Sequence, residues 1–150
     1  MSDVNIAIVH RWFDEVWNQR RAETIDELLS EESTCHGDGV SLRGPQQFRQ
    51  QQFEPLIQAF PDLQSTIDAI ICQGDEVAVR WSGWGHHSGP GLGIPPTGEL
   101  IELRGMTWIT IRNGQLVEGW QRSNIREEIE RLGRQADTNV PASRAAAAPF

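Results

Sequence analysis

Apolar residues recur every three or four positions in the first part of the chain, a spacing typical of amphipathic helices. The first run predicts a helix over residues 4–19 with Asp3 as its N-cap. Thr24 is followed three residues later by Glu27, a capping-box pattern that predicts a short second helix ending at Leu29. The residues that define the first helical face are Ile6, Val9, Phe13, Val16 and Trp17.

A third helix is predicted after a short candidate strand at residues 33–36. Gly44-Pro45 begins this helix, because proline suits the first helical position, and Pro61 ends it. Its apolar stripe consists of Phe48, Phe53, Leu56, Ile57 and Phe60.

The second half of the chain changes to alternating apolar and polar residues, the pattern of strands. Residues 88–98 are a Gly/Pro-rich loop, and Asn113-Gly114 is a strong hairpin signal. The predicted strands cover residues 63–72, 76–87, 99–111 and 115–124. Alternation places the following residues on one face of the first of them: Leu63, Ser65, Ile67, Ala69 and Ile71.

Helices followed by a run of antiparallel strands indicate an α+β fold, with the helices on one face of a curved sheet. A last helix is predicted over residues 124–133, ended by Gly133, and residues 134–150 are predicted to be a disordered tail. The folded domain is therefore expected to span residues 1–133. A sheet curled around helices leaves a conical cavity between the layers, the usual place for a small ligand.

The composition narrows the possible functions. A net charge of -8 argues against binding to nucleic acid or to an anionic membrane. The chain has no lysine and no tyrosine, which excludes a Schiff-base lysine, a P-loop lysine and a tyrosine acid. Cys35 and Cys72 form no close-spaced motif and are expected to be free thiols in the cytoplasm. No signal peptide and no membrane-spanning run are predicted.

Five elements of the second half resemble, in order and spacing, those of the SnoaL-like polyketide cyclases, which belong to the nuclear-transport-factor-2-like superfamily. They are FPDL at residues 60–63, GDEVAVRW at 74–81, GHHSG at 85–89, PPTG at 95–98 and NGQLVEGW at 113–120. The resemblance covers about residues 5–133 and implies an α+β cone, often dimeric, with a hydrophobic pocket. Named members close a ring by intramolecular aldol condensation without cofactor or metal, whereas others are dehydratases, hydrolases, isomerases or binding proteins.

The chain departs from the family at the position of the acid. A carboxylate commonly lies four residues after the Trp of the ExW element, and that position is Asn124. A second polar position of the family aligns with Thr110, and Gly119 stands where the family often has histidine. Asn124 is expected to cap the last helix, with Glu127 reaching back. Because an amide cannot take a proton at pH 7, aldol chemistry is expected to be weakened or altered.

Two histidines are the remaining acid–base candidates. His87 occupies the family's GxHxG position, and His36 ends the early strand near the expected cavity rim. Histidine titrates near neutral pH and can serve first as base and then as acid. The alternative for His87 is that it fixes its loop through a hydrogen bond. The predicted catalytic set is His87, His36 and Asn124, without a metal, because the histidines have no ligand spacing.

Aromatic side chains are expected to form flat walls for a small hydrophobic or aromatic molecule. Trp81 and Trp84 must point to opposite faces of their strand, and large aromatics also suit a homodimer face. Glu118 is expected to pair with Arg80 or Arg104. The predicted substrate-contacting residues are Trp17, Phe60, Trp84, Trp108, Trp120 and Thr110.

Three functions remain open from the sequence. The first is a cofactor-independent cyclase acting on a polyketide-like substrate. The second is a hydrolase or isomerase of the same fold, which is disfavoured because the last two long strands carry no Asp and the chain has no tyrosine. The third is a protein that binds a hydrophobic ligand in the same pocket without turning it over.

Overall fold

The computed structural model describes residues 2–138, and it confirms the α+β fold with helices packed on one face of a six-stranded, open, curved sheet. The sheet order is β2-β1-β6-β5-β4-β3, and neighbouring strands are antiparallel except for the parallel pair β1 and β6. The strands are β1 (Leu29–Gly37), β2 (Val40–Arg43), β3 (Gln64–Gln73), β4 (Glu76–His86), β5 (Leu100–Arg112) and β6 (Gln115–Ser123). The helices are α1 (Ser2–Arg11), α2 (Ala22–Leu28), α3 (Gly44–Phe48), α4 (Glu54–Ala59) and α5 (Ile125–Thr138).

Two π-helical segments complete the helical layer: Trp12–Asn18 continues α1, and Arg49–Phe53 joins α3 to α4. The predicted first and third helices are therefore confirmed as continuous helical runs. Their apolar stripes supply buried core residues, which are Val9, Phe13, Val16, Phe48, Phe53 and Phe60.

The N-caps predicted for the first two helices are wrong. The first helix already includes Ser2, so Asp3 lies within its first turn. The second helix begins at Ala22, so Thr24 lies inside it, and its hydroxyl donates to the Glu15 carboxylate at 2.7 Å. The Arg11 guanidinium, with Thr24 as the second contributor, lowers the pKa of Glu15 to about 2. These contacts hold α2 against the first helix by charge-assisted hydrogen bonds instead of by caps.

The N-terminal half contributes two strands where the sequence predicts one short one. The predicted strand at residues 33–36 is the centre of the longer strand β1, which lies between β2 and β6. The turn from β1 to β2 is Asp38-Gly39, and both residues, like Gly37 at the end of β1, have positive φ. This hairpin was missed because its strands lack regular alternation.

A bulge breaks the predicted alternation in β3. The pairing with β4 shifts between Ile67 and Ala69, so an extra residue inverts the faces from that point on. Ile67 packs against the core, but Ile70 and Cys72 follow it there, and Ile71 is 71% exposed. The prediction that Ala69 and Ile71 share the face of Leu63 is therefore wrong.

Alternation holds along β4 and β5. Val77, Val79 and Trp81 are buried, whereas Trp84 is exposed, which confirms that the two tryptophans lie on opposite faces. The buried positions on β5 are Ile101, Leu103, Ile109 and Ile111. The concave face therefore packs against the helices, and the opposite face is open to solvent.

The last helix is longer than predicted. Gly133 lies within α5, which continues to Thr138 because Leu132 and Ala136, four residues apart, are both buried. The predicted tail is therefore wrong for residues 134–138, and the rest of it lies outside the described residues. Among residues 2–138, no helix combines the length and apolarity needed to cross a membrane.

Candidate functional site

A cavity of about 570 Å³ lies between the helical layer and the concave face of the sheet. Its walls combine aromatic and aliphatic side chains with a group of polar side chains from β5, β6 and the β1–β2 turn. The apolar part includes Trp12, Phe13, Trp17, Phe48, Leu103 and Ile109. A cavity of this size and composition is in the usual range for a small hydrophobic ligand.

Polar side chains on the sheet side of the cavity form a hydrogen-bonded chain. The Trp81 indole donates to the Thr107 hydroxyl at 3.0 Å, and that hydroxyl lies 3.2 Å from Oε1 of Gln121. The other end of the Gln121 amide donates to Oδ2 of Asp38 at 3.1 Å. The network therefore runs from the core of the sheet to the β1–β2 turn and ends on a carboxylate.

Asp38 is held by two further donors, both from Ser123. The Ser123 backbone N–H donates to Oδ1 at 2.9 Å, and its hydroxyl donates to Oδ2 at 2.7 Å. Oδ1 therefore has one of these partners and Oδ2 has two, which leaves Oδ1 acceptor capacity for a ligand. Asp38 and Glu130 are the carboxylates among the described residues that line the cavity, and Glu130 is exposed to solvent.

The backbone of the Asp38 turn is unusual. Asp38 has φ of 51°, and Gly37 before it has φ of 145°. A Cβ added to Gly37 would lie 2.1 Å from the carbonyl oxygen of Gln121, so the turn packs directly on β6. Left-handed backbone at a non-glycine residue is uncommon and concentrates at functional sites.

Cys35 also lines the cavity, and burial raises the pKa of its thiol to about 11. The thiol is therefore protonated at neutral pH, which disfavours a thiolate nucleophile. Among residues 2–138, no three His, Cys, Asp or Glu side chains converge where they could share a metal ion.

Asn124 lies at the end of β6 and does not line the cavity. Its side-chain amide bonds to the backbone of β5. Nδ2 donates to the Glu102 carbonyl at 2.9 Å, and Oδ1 accepts from the Arg104 N–H at 2.9 Å. The Asn124 carbonyl accepts the first bond of α5, from Glu128, as an N-cap residue does. The side-chain cap is instead supplied by Ser123, whose hydroxyl accepts from the Ile125 N–H at 3.2 Å.

His87 is fully buried behind the loop that follows β4, outside the cavity wall. Thr97 holds its Nδ1, with the hydroxyl at 3.0 Å and the backbone N–H donating at 3.3 Å. Burial lowers the pKa of the imidazole, so the ring is neutral at pH 7. The contacts with Thr97, and the bond from Gly98 N–H to the His87 carbonyl at 2.7 Å, show that His87 fixes its loop.

His36 borders the cavity, but its ring lies on the other side of the sheet. The ring stacks on Trp120 with centroids 4.2 Å apart, and Nδ1 lies 3.1 Å from the Ser41 hydroxyl. Nε2 lies 3.9 Å from the Glu118 carboxylate, which is therefore not paired with Arg80 or Arg104 as predicted. The structure does not bring His36, His87 and Asn124 together.

Of the predicted substrate-contacting residues, Trp17 lines the cavity. Phe60 is fully buried beside His87, with ring centroids 5.6 Å apart. The other four predicted residues point away from the cavity, because side chains alternate along a strand and their neighbours in the sequence point towards the helices. The residues on the outer face are Trp84, Trp108, Thr110 and Trp120.

The model of the SnoaL-like polyketide cyclase family matches residues 7–125. The chain belongs to this family. No curated protein matches the chain at a significant level.

Solved structures show how this SnoaL-like domain relates to known proteins. IdmH from Streptomyces antibioticus, named as a polyketide cyclase, has 26% identity and a TM-score of 0.72, covering 86% of this chain and 98% of its own. A SnoaL-like protein from Jannaschia sp. CCS1 has 23% identity and a TM-score of 0.77, covering 93% and 95%. AclR from Streptomyces galilaeus, named as a hydroxylase, has 22% identity and a TM-score of 0.77, covering 89% and 98%. These different names show that the fold alone does not decide the reaction.

The family's acid position in this SnoaL-like protein has a structural requirement for an amide. Asn124→Asp is expected to destabilise the protein by about 1–3 kcal/mol, because an ionised carboxylate would face the Glu102 carbonyl without a proton to donate. Urea unfolding at pH 7 measures this loss. The deficit should shrink below about pH 4, where a protonated acid can donate again. An Asn124→Asp variant as stable as wild type at pH 7 would contradict this account.

The residue that sequence analysis missed is Asp38. Its only local signal is an acid between two glycines, Gly37 and Gly39, which is also an ordinary turn pattern. Its partners Gln121 and Ser123 lie 83 and 85 positions away in the chain. No spacing rule links residues that distant, so the site emerges only when β1 pairs with β6.

Proposed function

We propose that the protein binds a hydrophobic, polyketide-like molecule in the cavity and catalyses a cofactor-independent, aldol-type ring closure on it. The observation that supports this proposal is the Asp38 carboxylate at the wall of a mostly apolar cavity, held by Gln121 and Ser123. Asp38 takes the role that the sequence assigned to His87, His36 and Asn124.

The chemistry needs one group that takes and then returns a proton. In the first step, Asp38 removes a proton from a carbon next to a substrate carbonyl, which leaves an enolate and a protonated Asp38. The enolate carbon then bonds to a second carbonyl carbon of the same molecule, and that carbonyl oxygen takes the proton from Asp38. The product is a ring alcohol of the same composition, and Asp38 is again a carboxylate. Such acid–base catalysis is typically worth about 10²–10⁴-fold.

The neighbours of Asp38 hold the carboxylate in place during both steps. Ser123 and Gln121 fix its orientation, and Thr107 with Trp81 fixes Gln121 in turn. Preorganised groups of this kind lower the reorganisation needed in the transition state. Arg126 also lines the cavity, and its guanidinium lies over Gly39, where it places positive charge beside the Asp38 turn.

A binding protein without turnover is the second candidate function. The observation that favours it is the amide at the family's acid position, where Asn124 is committed to the backbone of β5. Ligand binding needs only the apolar walls of the cavity. Both candidate functions therefore bind the same kind of ligand, and only the cyclase transfers a proton.

We also propose that the protein is a homodimer and works in the cytoplasm. The exposed tryptophans of the outer face, Trp108 at 51% and Trp120 at 52%, support a partner on that face. The free thiols of Cys35 and Cys72 suit a reducing compartment.

The test combines binding with proton transfer, using an aromatic poly-β-ketone with a methylene between two carbonyls. Quenching of tryptophan fluorescence reports binding, since Trp12, Trp17 and Trp81 line the cavity. Deuterium uptake at the methylene in D₂O, above the rate without protein, reports proton removal, and mass spectrometry with absorbance reports ring closure. Saturable quenching with enhanced exchange and ring closure supports the cyclase. Quenching without enhanced exchange supports the binding protein, and no quenching overturns both.

A further inference from the structure

Polarity increases along the wall that β6 contributes to the cavity. The lining residues on this side are, in chain order, Leu116, Gly119, Gln121, Ser123 and then Arg126 at the start of α5. On β5, Ile109 and then Thr107 continue this order, because β5 runs antiparallel to β6. At about 3.3 Å per residue, the stretch from Leu116 to Ser123 spans roughly 20 Å. The cavity is therefore elongated, with an apolar inner end, a band of hydroxyl and amide groups, and a charged rim.

The rim carries two charged side chains from α5, Arg126 and Glu130, and both are exposed. Among residues 2–138, Arg126 is the only arginine that lines the cavity, and the chain has no lysine. His36 also borders the cavity, but its ring is stacked on Trp120 on the other side of the sheet. The positive charge that this cavity offers to a ligand therefore comes from Arg126.

The Arg126 guanidinium makes no ion pair or hydrogen bond with the described residues. A partner is close at hand, since Glu130 lies four positions later, a spacing at which opposite charges can pair on a helix. The Arg126 side chain extends over the β1–β2 turn instead. A Cβ built on Gly39 would lie 2.6 Å from one guanidinium nitrogen and 3.2 Å from the guanidinium carbon. The guanidinium is thus placed at the turn that carries Asp38, with its donors free.

The free guanidinium and the Asp38 carboxylate are close neighbours at one end of the cavity. Gly39 directly follows Asp38, and consecutive Cα atoms are about 3.8 Å apart. The Asp38 carboxylate turns towards β6, where Gln121 and Ser123 donate to it. An anionic group bound by Arg126 would therefore lie on the rim side of Asp38, a few bonds from the ligand atom that Asp38 reaches.

The kind of anion follows from the number and exposure of the donors. A planar guanidinium binds a carboxylate through two parallel hydrogen bonds. A phosphate group carries nearly two charges at pH 7, and no second arginine of the described residues lines the cavity to match them. An enolate formed during the reaction would gain little from Arg126, because exposure to water weakens the interaction between charges. A carboxylate that the ligand carries permanently fits this position best.

We propose that the ligand is an elongated, polyketide-like acid whose carboxylate pairs with Arg126 at the rim while its apolar end fills the inner cavity. This inference rests on the proposed function, because the ligand must lie in the cavity with its reactive methylene beside Asp38. The ion pair fixes the direction of entry, apolar end first. It also distinguishes a free acid from its ester, which has no charge to offer Arg126.

Two ligands of nearly the same shape test the proposal: an aromatic poly-β-ketone that carries an aryl carboxylic acid, and its methyl ester. Quenching of tryptophan fluorescence in the full-length protein measures the Kd of each. Wild type is expected to bind the acid about tenfold more tightly than the ester, as a charge-assisted hydrogen bond provides. Arg126→Gln is expected to raise the Kd of the acid about tenfold and to leave that of the ester within about threefold. Added salt should weaken binding of the acid alone.

Two further variants separate the role of the guanidinium from that of net charge. Arg126→Lys keeps the charge and is expected to retain a preference for the acid of about threefold or more. Arg112→Gln removes the same charge at the exposed end of β5, outside the cavity. This matched control should bind both ligands like wild type.

Equal Kd values for acid and ester in wild type would overturn this proposal and leave ring closure at Asp38 standing. The same holds for a preference for the acid that survives Arg126→Gln, or that is lost equally in Arg112→Gln. Slower deuterium exchange of the ester in Arg126→Gln, at an unchanged Kd, would also overturn it, because Arg126 would then act on the enolate. Quenching by neither ligand would overturn the proposed function as well.

Discussion

Asp38→Asn is expected to lower the rates of proton exchange and ring closure by about 10²–10⁴-fold. The same variant should bind the ligand within about threefold of wild type. The separation follows from the proposed function, in which the apolar walls bind the ligand and the Asp38 carboxylate moves the proton. Measurements of exchange in D₂O and of fluorescence quenching on the same samples check both halves of the prediction.

The substitution is nearly isosteric, and its partners can adapt to it. The Ser123 N–H can still donate to an amide oxygen, and the Ser123 hydroxyl can rotate to accept from the new amide nitrogen. Gln121 can turn its amide by 180° to present its oxygen. The fold of the turn should therefore persist, so that a loss of rate reports the missing proton carrier.

Asp75→Asn is the matched control, because Asp75 lies on the exposed β3–β4 turn outside the cavity. It changes the same functional group and the same net charge. Equal rates for wild type, Asp38→Asn and Asp75→Asn would remove Asp38 from the mechanism. A rate lost equally in both variants would point to net charge instead of the site.

Gly37→Ala is expected to destabilise the protein by about 3 kcal/mol or more, which is the second large effect. The added Cβ would lie 2.1 Å from the Gln121 carbonyl oxygen, a distance that requires the backbone of β1 or β6 to move. The φ of 145° adds conformational strain for any residue with a side chain. Because Asp38 directly follows β1 and Ser123 ends β6, ligand binding and exchange should fall together. Urea unfolding and the quenching assay measure these losses.

Gly74→Ala separates the two causes. Gly74 also has positive φ, at 60°, but an added Cβ there meets nothing within 4 Å. Its cost should be limited to left-handed backbone strain, about 1–2 kcal/mol. Similar losses of stability for the two variants would show that the close approach of Gly37 to β6 adds nothing to the cost of the substitution.

Local patterns predict most of the fold. Helical spacing identifies the runs from α1 and from α3 to α4, and alternation identifies β3 to β6, because each pattern reflects one side of an element facing the core. The motif order predicts the family, which the match over residues 7–125 confirms. Element ends are predicted less well: α5 runs past Gly133 because the buried Leu132 and Ala136 outweigh a single glycine.

The candidate site is predicted poorly, because small shifts in register decide which side chains face the cavity. Beside Thr110, the pairing of β5 with β6 shifts, so that Ile111 pairs with Leu116 and Thr110 with Glu118. One extra residue in β6 therefore sends Leu116 inward and Glu118 outward. On β5, regular alternation points Thr107 into the cavity and Thr110 to the outer face. The alternation of residues in a sequence predicts that a strand has two faces. It does not predict a bulge, after which each residue points to the face opposite the expected one.

The sequence by itself determined the α+β class, the order of the elements, the family and the absence of lysine and tyrosine chemistry. Only the tertiary structure decided which groups meet. In the structure, the Asn124 amide bonds to two backbone groups of β5, and His87 is buried behind its loop. Asp38 bonds to Ser123, which lies 85 positions away in the sequence. The physical reason is the distance along the chain over which residues interact. Periodicity reflects how each residue is placed relative to its near neighbours and the core. The site depends instead on strand pairings between distant parts of the chain.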